Sequence, residues 1–195
     1  MLAYPRNEPL NYSQLTSYVV ERAPNRPFVI LGESFSGPIA IEIAATDPRA
    51  AGLILASSFA RHPLPSWLAS LTRLIDPDWL PRRVVAAALM GPTSTPELAA
   101  RLHQLLAGLP REILQFRARE ALRADKRDRL SETKCPVLCL QGRLDRLVTR
   151  RQVDEITAAQ TRCQVQWLDS SHMLLATHAE AAAMAIDQFC AQIDK

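Results

Sequence analysis

Three residues, far apart in the chain, have types that together can do acyl chemistry: Ser34, Asp145 and His172. A serine hydroxyl is a weak nucleophile until a base takes its proton. An imidazole suits that task near neutral pH, and a carboxylate can hold its tautomer and stabilise the charge it gains. Their surroundings are turn-like: Gly32-Glu33-Ser34-Phe35-Ser36-Gly37-Pro38, Gln141-Gly142-Arg143-Leu144-Asp145 and Asp169-Ser170-Ser171-His172. Taken singly, Asp145 reads as a turn former and His172 as a solvated loop histidine. Taken together, their placement favours the chemical reading. Asp169 is a rival acid, but three residues before His172 is a poor position from which to support that ring.

The elements that must position these residues are short apolar runs. Pro27-Phe28-Val29-Ile30-Leu31 reads as a strand buried on both faces, and Pro38 to Ala45 as a helix with proline in its first turn. Ser34 therefore stands where a strand turns sharply into a helix, with backbone N–H groups of the helix start pointing at its hydroxyl. The pattern departs mildly from Gly-x-Ser-x-Gly, because Ser36 holds the second glycine position and glycine follows at Gly37. Ala51–Ala56 predicts a second buried strand, Pro136–Leu140 a third, and the alternating Gln164-Val165-Gln166-Trp167 an edge strand. Strand, helix, strand order with short links argues for parallel pairing. Ser34, Asp145 and His172 then follow the first, third and fourth strands, whose C-terminal ends share the edge where ligands bind in open parallel sheets.

Elsewhere, Ser13 is expected to cap a helix running to about Arg22, with Leu15, Tyr18 and Val19 on one face. A helix is expected near Thr149–Ala159. Thr177 to Glu180 reads as a capping box for a last helix that buries Ala183, Ile186, Phe189, Cys190 and Ile193. From Phe59 to about Thr133 prolines recur and no strand signal appears, which is too long for a plain loop. Thr95-Pro96-Glu97 starts a helix there, with Leu98, Leu102, Leu105 and Leu109 on one face. Arg117, Arg119, Arg123, Lys126, Arg127 and Arg129, mixed with Glu120, Asp125 and Asp128, read as a solvated helix face rather than an anion site.

The chain has 195 residues, enough for one domain with a sizeable core. A net charge of +3 does not imply nucleic acid. No apolar run is long enough for a membrane span, and the N-terminus lacks the apolar segment of a signal peptide. Cys135, Cys139, Cys163 and Cys190 form no Cys-x-x-Cys pair and read as buried, reduced thiols of a cytoplasmic protein. No cofactor or metal is expected.

The three motifs, in the order Ser, Asp, His, resemble the serine, acid and histidine loops of the α/β-hydrolase superfamily. They are most similar to the small lid-bearing carboxylesterases of the pimeloyl-carrier-protein methyl ester esterase-like type, over essentially the whole chain. The resemblance implies an α/β fold of three layers with a mostly parallel sheet. Residues 1–58 and 134–195 would form the core and 59–133 a helical lid. His62, His103 and His178 then read as surface or lid residues, and Ser36, Ser57 and Ser58 as packing or hydrogen-bonding residues. Leu64, Trp67, Leu68, Leu71 and Trp79 would line the lid or form its core. The implied activity is hydrolysis of a carboxylic ester or thioester of a small or acyl substrate, or acyl transfer on the same residues. Ser34 would be the nucleophile, His172 the base, Asp145 its orienting acid and the Phe35 backbone N–H an oxyanion donor.

Such proteins normally begin with a hairpin, a strand ending in a His-Gly-type loop, and a helix. None of this precedes Tyr4, so the fold reads as N-terminally truncated and without the loop that usually brings a second oxyanion donor. Losing one such donor typically costs ~10²–10³ in rate. A non-catalytic chain that only binds a ligand or partner is therefore the alternative expectation. The strand before Ser34 would also keep one unpaired edge, which predicts homodimerisation, self-covering by residues 1–10, or aggregation.

Overall fold

The computed structural model describes residues 2–62, 89–91 and 95–193. Its centre is one sheet of four strands: β1 (Phe28–Glu33), β2 (Ala50–Ala56), β3 (Val137–Gly142) and β4 (Gln164–Leu168). They lie in the order β1-β2-β3-β4, and every pair is parallel. The expected strands are thus present, with β1 running two residues further, up to Ser34 itself.

Alternation along β2 sorts the core into two layers. Leu53 and Leu55 pack with Ile41 and Ala44 of α2 (Gly37–Thr46) and with Val153 and Ile156 of α6 (Arg150–Ala159). Ile54 lies against Phe189 and Ala56 against Ala182 and Ala185, all of α8 (Ala179–Ile193), on the opposite face. A sheet whose strands are apolar on both faces needs helices on both, and this is the three-layer arrangement it receives.

Two helix ends differ from expectation. Helix α1 (Tyr12–Val20) is capped by Asn11, not Ser13. The Asn11 side chain accepts from Gln14 N, and Gln14 Oε1 accepts from Asn11 N, both at 2.9 Å. That reciprocal pair satisfies two terminal N–H groups, and Ser13, two residues further on, already lies inside the helix. Thr177 does not cap α8. It ends the short helix α7 (Leu174–Thr177), where its hydroxyl donates to Met173 O at 3.0 Å and lies 2.9 Å from Ser170 Oγ. The buried stripe of α8 is Ala182, Ala185 and Phe189, flanked by Ile186 and Ile193, while Ala183 is exposed.

Between β2 and β3 the described residues are helical: α3 (Pro96–Ala107), α4 (Arg111–Arg123) and α5 (Arg127–Glu132). Thr95 begins α3 as expected, its Oγ1 accepting from Leu98 N at 3.2 Å. Leu105 is 54% exposed, so the leucine stripe of α3 is not wholly covered by the described residues. Three members of the basic cluster are ion-paired, through Lys126–Glu42, Arg129–Glu42, Arg129–Glu132 and Arg127–Asp125. The chain leaves and rejoins the sheet layer side by side: Arg61 and Asp125 form an antiparallel bridge, with His62 N donating to Ala124 O and Lys126 N to Ala60 O. Leu64, Trp67, Leu68, Leu71 and Trp79 lie outside the described residues.

Strand β1 pairs with β2 alone, and among the described residues no strand lies along its other side. Leu31 on this strand is 37% exposed. Residues 2–10 form no strand there. Tyr4 instead bonds Ser36, and Pro5 O accepts from Arg117 of α4.

Candidate active site

Strand β1 delivers Ser34 into a single 3₁₀ turn, Ser34–Ser36, which runs straight into α2. Ser34 has φ +49°, a left-handed conformation unusual for a residue with a side chain. Such a residue persists only when its surroundings over-determine it. Here the constraint is steric on both sides. A Cβ at Gly32 would meet Ser36 O at 2.7 Å and Ala40 Cβ at 2.8 Å, and one at Gly37 would collide with Ser58 Oγ. Gly37 thus has the close-packing role, and Ser36 is free to bond outward, accepting from the Tyr4 hydroxyl at 2.9 Å. Ser58, fully buried beyond the end of β2, donates its hydroxyl to Ser34 O at 2.7 Å.

Asp145 lies in the loop after β3, its side chain wholly buried. Its Oδ1 accepts from Leu147 N and Val148 N, both at 2.9 Å. Its Oδ2 lies 2.9 Å from His172 Nδ1 and accepts from Gln141 Nε2 at 3.1 Å. Four polar partners in so buried a place fix the carboxylate in one orientation.

His172 follows β4, on a loop zipped to the acid loop by backbone bonds. Arg143 N donates to Leu168 O at 2.8 Å and Leu144 N to Ser170 O at 2.9 Å. The two loops approach so closely that a Cβ at Gly142 would collide with Ser170 O. Met173 N donates to Leu89 O at 3.2 Å, tying the histidine loop to the segment between β2 and β3. The ring is 4% exposed, and its Nε2 lies 2.8 Å from Ser34 Oγ. A carboxylate, an imidazole and a hydroxyl therefore lie in one hydrogen-bonded line, an arrangement able to take the proton from the serine. Asp169 turns away to Arg143, 3.1 Å off and exposed, so the rival acid is not at the ring.

Four residues at this site escape a reading of the sequence. Gln141 is a polar side chain in an otherwise apolar strand, and it is fully buried. That isolation was its one available signal. Glu33 is largely buried beside the histidine loop, with Oε1 unbonded among the described residues. Burial pushes its carboxyl pKa up, partly offset by the charge of His172 and by the Leu175 N–H. Tyr4 and Tyr12 reach the turn from the N-terminal segment, which no local pattern reveals. Among the described residues no group of three or more His, Cys, Asp or Glu side chains is arranged to hold a metal ion.

No curated protein matches the chain. Solved structures do, and they share its fold. A bromoperoxidase from Bacillus anthracis superposes with TM-score 0.84 at 16% identity, covering 96% of this chain and 76% of that one. A thermophilic esterase from Thermogutta terrifontis gives TM-score 0.75 at 21% identity, over 94% and 72%. The enol-lactonase from Burkholderia xenovorans gives 0.71 at 22% identity, over 95% and 75%. A family model described as the alpha/beta hydrolase family matches residues 3–185. With that match spanning nearly the whole chain, and with serine, acid and histidine loops at the ends of β1, β3 and β4, this protein belongs to the alpha/beta hydrolase family.

Proposed function

We propose that this hydrolase cleaves carboxylic esters or thioesters of small or acyl substrates, with Ser34, His172 and Asp145 as its catalytic residues. The observation that carries the reading is the line of contacts from Asp145 Oδ2 through His172 to Ser34 Oγ. As Ser34 Oγ attacks the acyl carbon, His172 Nε2 takes its proton. Asp145 orients the ring and stabilises the imidazolium without taking a proton itself. The Phe35 backbone N–H donates to the tetrahedral oxyanion. Collapse breaks the bond to the alkoxide or thiolate, which leaves with the proton from His172. Water then attacks the acyl-serine, again losing a proton to His172; collapse breaks the bond to Ser34 Oγ, which takes that proton back from His172, and the carboxylic acid departs.

The same reading makes residues 59–133 a lid over the site. It also places the protein in the cytoplasm, where four free cysteines stay reduced. Burial pushes the Cys163 thiol up to about 11, which keeps it protonated and unreactive. No helix among the described residues is long and apolar enough to cross a membrane. The open side of β1 pairs with a second copy of the chain.

An active-site serine probe such as a fluorophosphonate should label the protein, and p-nitrophenyl acetate and butyrate should be hydrolysed. Ser34→Ala and His172→Ala should each abolish turnover. Equal labelling of Ser34→Ala sinks the assignment. A folded wild type without turnover supports a chain that only binds.

A further inference from the structure

The residues flanking Ser34 are held by two tyrosines that no step of the mechanism uses. The Tyr12 ring stacks on Phe35, centroids 4.8 Å apart at 22°, and its hydroxyl donates to Phe35 O at 3.2 Å. Tyr4 meets the same ring edge-on, centroids 6.3 Å apart, and its hydroxyl donates to Ser36 Oγ at 2.9 Å. Two aromatic contacts and two hydrogen bonds thus converge on Phe35 and Ser36. Aromatic pairs at these separations are attractive beyond simple burial. Burial pushes both phenol pKa values up, so both hydroxyls stay protonated and able to donate.

The tyrosines are themselves anchored away from the sheet. Pro5 O, next to Tyr4, accepts from Arg117 at 2.7 Å, and the Arg117 guanidinium lies 5.8 Å from the centre of the Tyr4 ring. Tyr12 N donates to Glu120 Oε2 at 3.3 Å. Both anchors stand on α4, in the segment between β2 and β3. The contacts therefore run from α4 through residues 4–12 to the residue immediately after Ser34.

We infer that Tyr4 and Tyr12 are positioning residues: they clamp Phe35 so that its backbone N–H is held for the oxyanion, and α4 holds the clamp. The inference rests on the esterase reading. Its logic is that of pre-organisation. Ser34 is strained at φ +49°, and a donor helps the transition state only if it is already in place when charge develops. A turn free to relax that strain would swing the following peptide away.

The test uses Tyr4→Phe, Tyr12→Phe and the double variant, which keep the rings and remove the hydroxyls. Tyr18→Phe is the control. The Tyr18 hydroxyl bonds Ala3 O on the same segment at 3.3 Å, and its ring lies against the Arg22 guanidinium rather than the turn. Each single variant should lose ~3–10-fold in kcat on p-nitrophenyl butyrate with KM unchanged. Affinity for a boronic acid, which forms a tetrahedral adduct on serine, should fall in parallel. Tyr18→Phe should match the wild type. A lowered Tm with kcat per folded molecule unchanged makes the tyrosines merely structural and overturns the clamp. Amide exchange separates this failure from that of the esterase reading. If the wild type turns nothing over, the esterase reading falls. Unchanged protection of the Phe35 and Ser36 amides in the double variant then overturns the clamp as well.

Discussion

Ser58 Oγ donates to the carbonyl oxygen of Ser34 across 2.7 Å, and it does so from the space that a Cβ on Gly37 would fill. One buried hydroxyl thus restrains the strained serine and dictates glycine three residues later. Ser58→Ala removes this bond and leaves the Ser34 carbonyl with the Gly37 N–H, a loss of ~0.5–1.5 kcal/mol. Gly37→Ala should cost a comparable amount through the collision with Ser58. Because the two share one space, the double variant should be less destabilised than the sum of the singles. Urea denaturation of all four proteins measures the coupling. A sum that is simply additive within ~0.5 kcal/mol shows that the two positions do not meet.

Gln141 should matter through Asp145. Its Nε2 donates both to Asp145 Oδ2 and to Val148 O, at 3.1 and 2.8 Å. Gln141→Met keeps the volume and removes the donors, leaving Val148 O without this partner and Asp145 with one restraint fewer. We expect kcat/KM to fall ~3–10-fold and stability by ~1–3 kcal/mol. Steady-state kinetics and thermal denaturation check both. Full activity in the variant shows that the two backbone N–H groups on Oδ1 suffice to hold the acid.

Glu33 makes stability depend on pH in a direction opposite to the usual carboxylate. Burial holds its carboxyl above the ordinary value of 4.5, while His172 and the Leu175 N–H pull it part of the way back. An unfolded chain releases the proton near the ordinary value, whereas the folded protein keeps it longer. Between those two points the folded state binds more protons, so stability declines as pH rises through the window and levels off above it. Glu33→Gln retains an oxygen for Leu175 and removes the titration. The variant should therefore melt higher than the wild type above the window, with the gap closing towards pH 4.5. A gap of the same size at every pH contradicts this account.

Most of the sheet was legible because β1, β2 and β3 are short apolar runs, whereas β4 was read from its alternation of polar and apolar residues. Pro136-Val137-Leu138-Cys139-Leu140 has no other comfortable reading. Ser34, Asp145 and His172 stood out as candidates because each follows an expected strand. Faces and caps were read less well. Ser13 and Asn11 are both good caps, and only the return bond from Gln14 decides between them. In α8 the alanine run offers no contrast, so Ala182 and Ala183 exchange roles without changing the pattern. Tyr4, Tyr12 and Glu33 were illegible for a different reason. Their partners lie across the fold, and a long-range contact leaves no period in the sequence.

The last prediction concerns the open side of β1. Phe28, Val29, Ile30 and Leu31 carry no charge, and among the described residues their strand pairs with β2 alone. Unpaired N–H and C=O groups along an apolar edge template pairing with another chain. Residues 2–10 do not occupy that side, since Tyr4 and Pro5 are held at Ser36 and Arg117. A second copy, edge to edge, would extend the sheet and satisfy both strands at once. Light scattering during size-exclusion chromatography should give about twice the chain mass of 21.7 kDa. Leu31→Lys places a charge on the most exposed residue of the edge, and lysine is a common guard of natural edge strands. That variant should elute as a monomer while retaining esterase activity per chain. Amide exchange gives the second readout: Val29 and Ile30 should be protected in the wild type and less so in Leu31→Lys. A wild type that runs as a sharp monomer with those amides exchanging freely rules out the edge-to-edge dimer.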